Sequence, residues 1–150
     1  MLLFQAYYHL NTPDQPKIWC APVPATASNA RNLKVLEHRP FFHIPGLQND
    51  LIAFSVQGNS MTPTIEDGDL VICSSGIHPT DLVDMDIYTI VTKDSVLVKR
   101  IPRIHNRNGE LTHLKLISDN QMEHRPDLLR LHEVEHLFKV ERRLTGLGRL

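Results

Sequence analysis

Short apolar runs separated by turn residues constrain the fold of this chain more than any other feature. From residue 50 onward, Ile52, Phe54 and Val56 alternate with small or polar residues, which is the two-residue period of a half-buried strand. Further short apolar runs cover residues 70–73, 87–91, 96–101, 111–117 and 137–144. Short strands at such close spacing predict a mainly β fold with short helical turns.

Two other segments add detail to this prediction. The polar residues TKDS at 92–95 stand between two apolar runs, which predicts a β-hairpin. The segment 127–138 stays open between strand and helix, because its leucines also fit a helical period.

The first 30 residues differ from the rest and are predicted to form an arm, with the folded domain over residues 31–150. Prolines at 13, 16, 22 and 24 break any helix and remove backbone donors. The tract ATASNA at 25–30 has only small side chains, so it can lie extended in a narrow cleft; an ordinary surface linker is the alternative. Trp19 is expected either to pin the arm to the domain or to form part of a dimer contact.

Composition and charge exclude several classes of function. The chain has 150 residues and a formal net charge of -1, so it lacks the basic footprint of a nucleic-acid-binding domain. The two cysteines, Cys20 and Cys73, fit no zinc or redox spacing and are expected to be free thiols. No apolar run is long enough for a transmembrane helix, and the N-terminus is a poor signal peptide, which favours a cytoplasmic location.

The candidate nucleophile is Ser60, which lies in the segment GNSMTPTIEDGD at 58–69. This serine follows a predicted strand and precedes a short helical turn that Thr62 and Pro63 would begin and Gly68 would end. At such a position the hydroxyl is exposed, and unpaired backbone N–H groups lie close enough to hold an oxyanion. A serine is a weak nucleophile by itself, so this chemistry needs a base.

Lys99 is the candidate base, because a lysine buried among apolar groups loses its proton more readily. On a strand it would share one face with Leu97 and Ile101, while Val96 and Val98 would lie on the opposite face. A lysine within such an apolar strand is unusual. The alternative is an edge strand on which Lys99 faces water.

Three segments together resemble the LexA-like and UmuD-like serine peptidases. GNSMTPTI at 58–65, followed by DGD at 67–69, is similar to the nucleophile motif of that family. VKR at 98–100 is similar to the segment that carries its lysine base, and LISDN at 116–120 resembles another recurrent segment. The segments stand in the family's order, and the similarity covers roughly residues 40–145.

This resemblance implies a fold, a chemistry and a set of residues. The fold would be the β-clip type of the LexA C-terminal domain and of UmuD, a mostly β domain that commonly dimerises. Ser60 would attack a peptide bond of the chain's own arm, and an uncharged Lys99 would take the hydroxyl proton. The backbone N–H groups of Ser60 and Met61 would form the oxyanion hole. No cofactor is implied.

Two departures from the family pattern leave two hypotheses open. The family's scissile bond is usually Ala-Gly, or Cys-Gly in UmuD-type proteins, and neither pair occurs in this sequence. The equivalent place lies near Ala27, Ser28, Asn29 and Ala30. The N-terminal residues are also too few and too rich in proline for the helix-turn-helix unit that precedes the domain in repressors.

The first hypothesis is a serine peptidase that removes its own arm in a stress-response or repressor context. The second is a non-cleaving dimerisation and regulatory domain of a repressor that lacks its helix-turn-helix half. The partners expected are a second copy of the chain, its own arm as substrate and a stress-response protein. Direct nucleic-acid binding and membrane association are not expected.

Other motifs have simpler explanations than the chemistry they resemble. HEVEH at 132–136 matches a zinc-peptidase pattern, but that pattern needs a helix and a third ligand, so no metal site is predicted. Ser-Met-x-Pro also occurs in signal peptidases, which are usually membrane-anchored. Glu66, Asp67 and Asp69 are predicted to serve in turns and caps. Phe41 and Phe42 are expected to anchor the core or the arm.

Overall fold

The computed structural model describes residues 16–21, 41–44, 46, 51–74, 76–104 and 108–146. These residues form nine strands and two short 3-10 turns, at Pro79–Asp81 and Leu131–Glu133. The strands are β1 (Ile18–Cys20), β2 (Phe41–Phe42), β3 (Leu51–Ser55), β4 (Leu70–Cys73), β5 (Asp86–Thr92), β6 (Val96–Ile101), β7 (His113–Leu116), β8 (Asp127–Arg130) and β9 (Val134–Leu144). The mainly β fold predicted from the sequence is therefore confirmed.

Seven of these strands form one mixed sheet in the order β2-β1-β3-β4-β9-β5-β6. The β1–β3 pair is parallel, and the other neighbours in this sheet are antiparallel. Strands β7 and β8 form a separate antiparallel pair. An isolated bridge between Arg100 and Ile117 connects this pair to the edge strand β6.

The seven-stranded sheet is strongly curled. Strands β3 and β6 are separated by three others in the sheet order, yet side chains of both pack into one apolar cluster. That cluster contains Phe54 of β3 and Phe138 of β9, with Val96 and Val98 of β6 packed against it. The pairing register shifts within both β4–β9 and β5–β9, and such irregularities increase the bend of a strand. The curl brings β6 towards the loop that follows β3.

A second cluster covers the opposite face of the β5–β6 hairpin. It contains Tyr88 and Ile90 of β5, Ile101 of β6, and Leu114 and Leu116 of β7. The alternation of apolar side chains along β5 and β6 thus gives each face of the hairpin its own core. The β7–β8 pair closes one of these faces and lies beside the end of β6.

The strand predictions agree with the structure in position but not always in burial. Strands β4 and β6 have the predicted bounds, and residues 92–95 connect β5 to β6 as the hairpin turn. The segment 127–138, which was open between strand and helix, contains β8, a 3-10 turn and the start of β9. On β3, Ala53 is buried as well as Phe54, because β3 is covered on both faces.

Part of the predicted arm belongs to the sheet. Ile18 is fully buried, and β1 pairs with β2 on one side and β3 on the other. Trp19 contacts Phe41 of β2 with ring centroids 5.2 Å apart. The predicted boundary at residue 30 and the tract 25–30 lie outside the described residues. No helical segment within the described ranges has the length and apolar character needed to cross a bilayer.

Candidate active site

Ser60 lies in a tight loop between β3 and β4. Gly58 precedes it with a φ of 91°, a backbone conformation that a residue without a Cβ adopts without strain. The N–H of Gly58 donates to Asp67 Oδ1 at 2.7 Å, and Ile65 N donates to Met61 O at 2.9 Å. The Thr62–Pro63 peptide bond in this loop is cis. These bonds fix the backbone on both sides of the serine.

Two of the three acidic residues predicted to serve in turns and caps, Asp67 and Asp69, accept hydrogen bonds from the backbone of the loop. Asp69 is 1% exposed, and its Oδ2 accepts a hydrogen bond from Glu66 N at 2.9 Å. Arg143 of β9 lies 3.6 Å from the same carboxylate and also donates to Thr64 O. Asp67 and Asp69 thus stabilise the turn, and Asp69 also connects it to β9 through Arg143.

Lys99 lies on β6, at the edge of the seven-stranded sheet. Leu97 and Ile101 pack into one apolar cluster, and Val96 and Val98 pack against the other, as the predicted alternation requires. Although β6 is an edge strand, the Lys99 side chain is only half-exposed. Burial lowers the pKa of the Lys99 amine below its ordinary value, since the charged form loses hydration.

The hydrogen-bond partner of Lys99 is a neutral hydroxyl. Its Nζ donates to Ser118 Oγ at 3.0 Å, and Ser118 is only 3% exposed. Among the described residues, no carboxylate lies within ion-pair distance of this amine. The contact therefore holds the amine without adding the negative charge that would favour its protonated form. The amine donates to Ser118 rather than to Ser60.

A charged clamp fixes the segment that contains Ser118 against β6. Arg100 contacts Asp119 through two parallel hydrogen bonds, Nε to Oδ1 at 2.7 Å and Nη2 to Oδ2 at 2.9 Å. The hydrogen bond from Arg100 lowers the pKa of the Asp119 carboxyl below its usual range. Backbone bonds between Arg100 and Ile117, at 2.8 Å and 2.9 Å, complete the contact. Lys99 and Ser118 are the chain neighbours of these paired residues, so their contact follows from the same register.

The segment 118–124, here called the brace turn, also contacts the serine loop. Asn120 N donates to Ser60 O at 3.1 Å. The side chain of Asn59 accepts from His124 Nε2 at 2.8 Å and donates to Glu123 Oε2 at 2.6 Å. One turn therefore contacts both the residue that carries the candidate nucleophile and the side chain of the candidate base.

Ser60 and Lys99 line the same cavity, which has a volume of about 240 Å³. Its remaining walls come mainly from β3, the serine loop and β6. The apolar side chains among them are Phe54, Val56, Met61, Val96, Leu97 and Val98. Four polar residues complete the lining, Ser55, Gln57, Ser60 and Lys99. A cleft with such mixed walls can take a short extended peptide with small side chains.

Of the residues predicted from the sequence, the structure places Ser60, Met61 and Lys99 at this cavity. The candidate cleavage residues, Ala27 to Ala30, lie outside the described residues. Sequence reasoning gave Ser118 no role, although it singled out the segment 116–120 that contains it. That segment was the available indication, but only the fold shows that its serine contacts Lys99.

Other candidate chemical groups lie elsewhere. Cys73 is buried, and burial raises the pKa of its thiol to about 12, which disfavours a thiolate nucleophile. His132 lies in the 3-10 turn Leu131–Glu133 and His136 in β9, so these two histidines do not share a helix. Within the described part of the chain, no group of three or more potential ligands could hold a metal ion.

Comparison with known proteins supplies the family. The Peptidase S24-like family model matches residues 21–140. The chain belongs to this family. Comparison with curated proteins gives no match.

Membership of the Peptidase S24-like family, the LexA/UmuD-like serine peptidases, confirms the resemblance seen in the sequence. The mixed, mainly β sheet is consistent with a β-clip-like fold. The matched range includes the serine loop, Lys99 and the brace turn, so the whole candidate site lies inside the family domain.

Proposed function

We propose that this chain is a LexA/UmuD-like serine peptidase domain in which Ser60 is the nucleophile and Lys99 the general base. The observation that carries the proposal is that both residues line one cavity. The lowered pKa of Lys99 supports it, because a larger fraction of this amine is uncharged near neutral pH than of an ordinary lysine. Family membership supports serine peptidase chemistry in general.

In the proposed reaction, the proton of the Ser60 hydroxyl moves to Lys99 Nζ as Oγ bonds to the carbonyl carbon of the substrate. The N–H groups of Ser60 and Met61 would stabilise the resulting oxyanion. The carbon–nitrogen bond then breaks, and Lys99 returns the proton to the leaving amine. Water subsequently hydrolyses the acyl-serine, again with Lys99 as base.

The proposed substrate is the chain's own arm near Ala27, Ser28, Asn29 and Ala30. The side chains of this tract are small, so an extended segment of it would need little room in a cavity of about 240 Å³. The proposal includes a stress-response or repressor context, a homodimer, a stress-response protein partner and the cytoplasmic location expected from the sequence.

A non-cleaving dimerisation and regulatory domain is the second candidate. Two observations favour it: the sequence has no Ala-Gly or Cys-Gly pair, and Lys99 donates to Ser118 rather than to Ser60. Sedimentation distinguishes its main requirement. A chain that stays monomeric at high micromolar concentration would exclude a dimerisation role.

The test of the peptidase is self-cleavage of the purified chain across a pH series. We expect a shortened product whose rate of formation rises from about pH 7 to about pH 10.5, as lysine loses its proton. Intact-mass spectrometry identifies the bond. Ser60→Ala should abolish the product, and Ser74→Ala, whose hydroxyl lies away from the cavity, should cleave like the wild type. Absence of product, under conditions that cleave a known family member, would reject the peptidase.

A further inference from the structure

We propose that Ser118 is a positioning residue that holds the Lys99 amine in the orientation needed to take the proton of Ser60. This inference rests on the proposed peptidase function and adds a residue to its machinery. Its basis is the 3.0 Å hydrogen bond from Lys99 Nζ to Ser118 Oγ.

Lys99 needs such a partner because its side chain has four rotatable carbon bonds and a rotating amine. Ser118 can supply fixed geometry because its short side chain is almost fully buried, at 3% exposure. The backbone segment of Ser118 is held by the Arg100–Asp119 clamp, whose residues are the chain neighbours of Lys99 and Ser118. The Ser118 hydroxyl is therefore a fixed acceptor for the amine at the end of the long Lys99 side chain.

The chemistry of the partner matters as much as its position. An uncharged amine has two N–H bonds and one lone pair. Donation of one N–H to Ser118 fixes the rotation of the amine and leaves the lone pair free for the proton of Ser60. Once that proton arrives, the ammonium keeps the same hydrogen bond, so Ser118 need not move. A carboxylate in this place would hold the amine equally well but would keep it protonated.

The brace turn links this orientation to the nucleophile. Ser118 contacts Lys99, and two residues later the N–H of Asn120 donates to Ser60 O at 3.1 Å. The side chain of Asn120 donates to Asn59 O at 3.3 Å. The relative position of the base and the nucleophile is thus set by one short segment rather than by two independent loops.

The first experiment measures the pH profile of self-cleavage for the wild type, Ser118→Ala, Ser118→Thr and the control Ser74→Ala. We expect the plateau rate at high pH to fall about 10- to 100-fold in Ser118→Ala, the worth of one hydrogen bond to a charged group. Ser118→Thr keeps the hydroxyl and should recover most of that loss. Urea unfolding of each variant separates loss of orientation from loss of fold.

A second variant tests the charge of the partner. Ser118→Asp places a carboxylate beside Lys99, so the midpoint of the pH–rate profile should move up by about one unit or more. A shift of this size requires position 118 to lie beside the Lys99 amine in the active chain, as the hydrogen bond between them predicts. Ser118→Asn, which has a similar size and no charge, is the matched control and should leave the midpoint near its wild-type value.

Several outcomes would overturn the inference. One is a plateau rate in Ser118→Ala within about threefold of the wild type, well below the worth of one such bond. Another is an equal loss in Ser118→Ala and Ser118→Thr with an equally reduced free energy of unfolding, which would make Ser118 structural. An unmoved midpoint in Ser118→Asp would also count against it.

If the wild type does not cleave at any pH, the peptidase fails, and NMR of the lysine side chains decides the role of Ser118 separately. A fixed Lys99 should show two inequivalent ε-proton signals that merge in Ser118→Ala. Merged signals in the wild type would overturn the positioning role.

Discussion

Two lysines lie in one row of the sheet and have opposite electrostatic environments. Lys99 of β6 and Lys139 of β9 both pair with Tyr88 of β5, one on each side. Residues paired in this way point to the same face of a sheet. Lys139 forms an ion pair with Asp86 at 2.8 Å, whereas Lys99 donates to the Ser118 hydroxyl at 3.0 Å.

The pKa values of the two amines move in opposite directions for this reason. The hydrogen bond from Lys139 to Asp86 raises the pKa of Lys139. Burial lowers the pKa of Lys99, and its neutral partner does not offset that effect with an opposite charge. Equivalent backbone positions therefore do not make equivalent bases. The partner of the amine, and the water it has lost, decide which lysine can accept a proton.

The largest expected difference between the two lysines is in the rate of self-cleavage. Lys99→Met keeps the length of the side chain and removes the amine, so the rate should fall about 10²- to 10⁴-fold, the usual contribution of a general base. Lys139→Met removes an amine that is paired and outside the cavity, and should change the rate less than about threefold, since surface ion pairs contribute little. The measurement is product formation by intact mass.

The outcome that would break this comparison is a similar loss in both variants. Such a result would mean that both substitutions act by destabilising the fold, or that neither lysine is the base. Urea unfolding of the two variants distinguishes those cases. If the loss of rate acts through the fold, the free energy of unfolding should fall as well.

The sequence predicted the strands well because their burial is periodic. Strand β6 has the predicted bounds, and the separation of Val98 from Leu97 between two clusters follows from the alternation alone. Periodicity could not show that β3 is covered on both faces, because the residues that cover its second face, such as Phe42 and Ile44, lie in other segments of the sequence.

The environment of Lys99 was the part of the site that the sequence left undecided. The sequence allows two interpretations, a buried lysine and an edge strand on which Lys99 faces water. The structure combines them, because β6 is an edge strand whose end is covered by residues that follow β7. The contact with Ser118 depends on a non-local bridge between Arg100 and Ile117, and no local pattern encodes such a bridge. The dyad itself and its oxyanion hole stay predictions.

The second comparison is between two ion pairs, Arg100–Asp119 and Lys139–Asp86. Asp119 is mostly buried and holds Arg100 with two hydrogen bonds, so Asp119→Ala should lower the free energy of unfolding by about 1.5–3 kcal/mol. Asp86 and Lys139 are both partly exposed, so Asp86→Ala should cost less than about 1 kcal/mol. Urea unfolding in a Ser60→Ala background, which prevents self-cleavage, measures both. Equal costs would show that the clamp is no stronger than a surface ion pair.

The smallest expected effect is on how stability depends on pH, and it has opposite signs for the two lysines. Because the pKa of Lys99 is lower in the folded chain than in the unfolded chain, the unfolded chain binds more protons between the two values. Lys99 therefore destabilises the fold at neutral pH, and this cost is relieved as pH rises towards about 10.4, the ordinary lysine value. The pKa of Lys139 is raised, so its stabilisation is lost only above that value.

Urea unfolding at about pH 7 and about pH 10, below the ordinary lysine pKa, tests these signs. The reference is Ser60→Ala, and Lys99→Met and Lys139→Met are each added to it. From the lower to the higher pH, the reference should gain stability relative to the Lys99→Met variant, by less than about 1 kcal/mol because water still reaches the side chain. The Lys139→Met difference should stay nearly constant over the same range. A reference that loses stability relative to the Lys99→Met variant would mean that folding favours the charged form of Lys99, which a general base in this cavity could not tolerate.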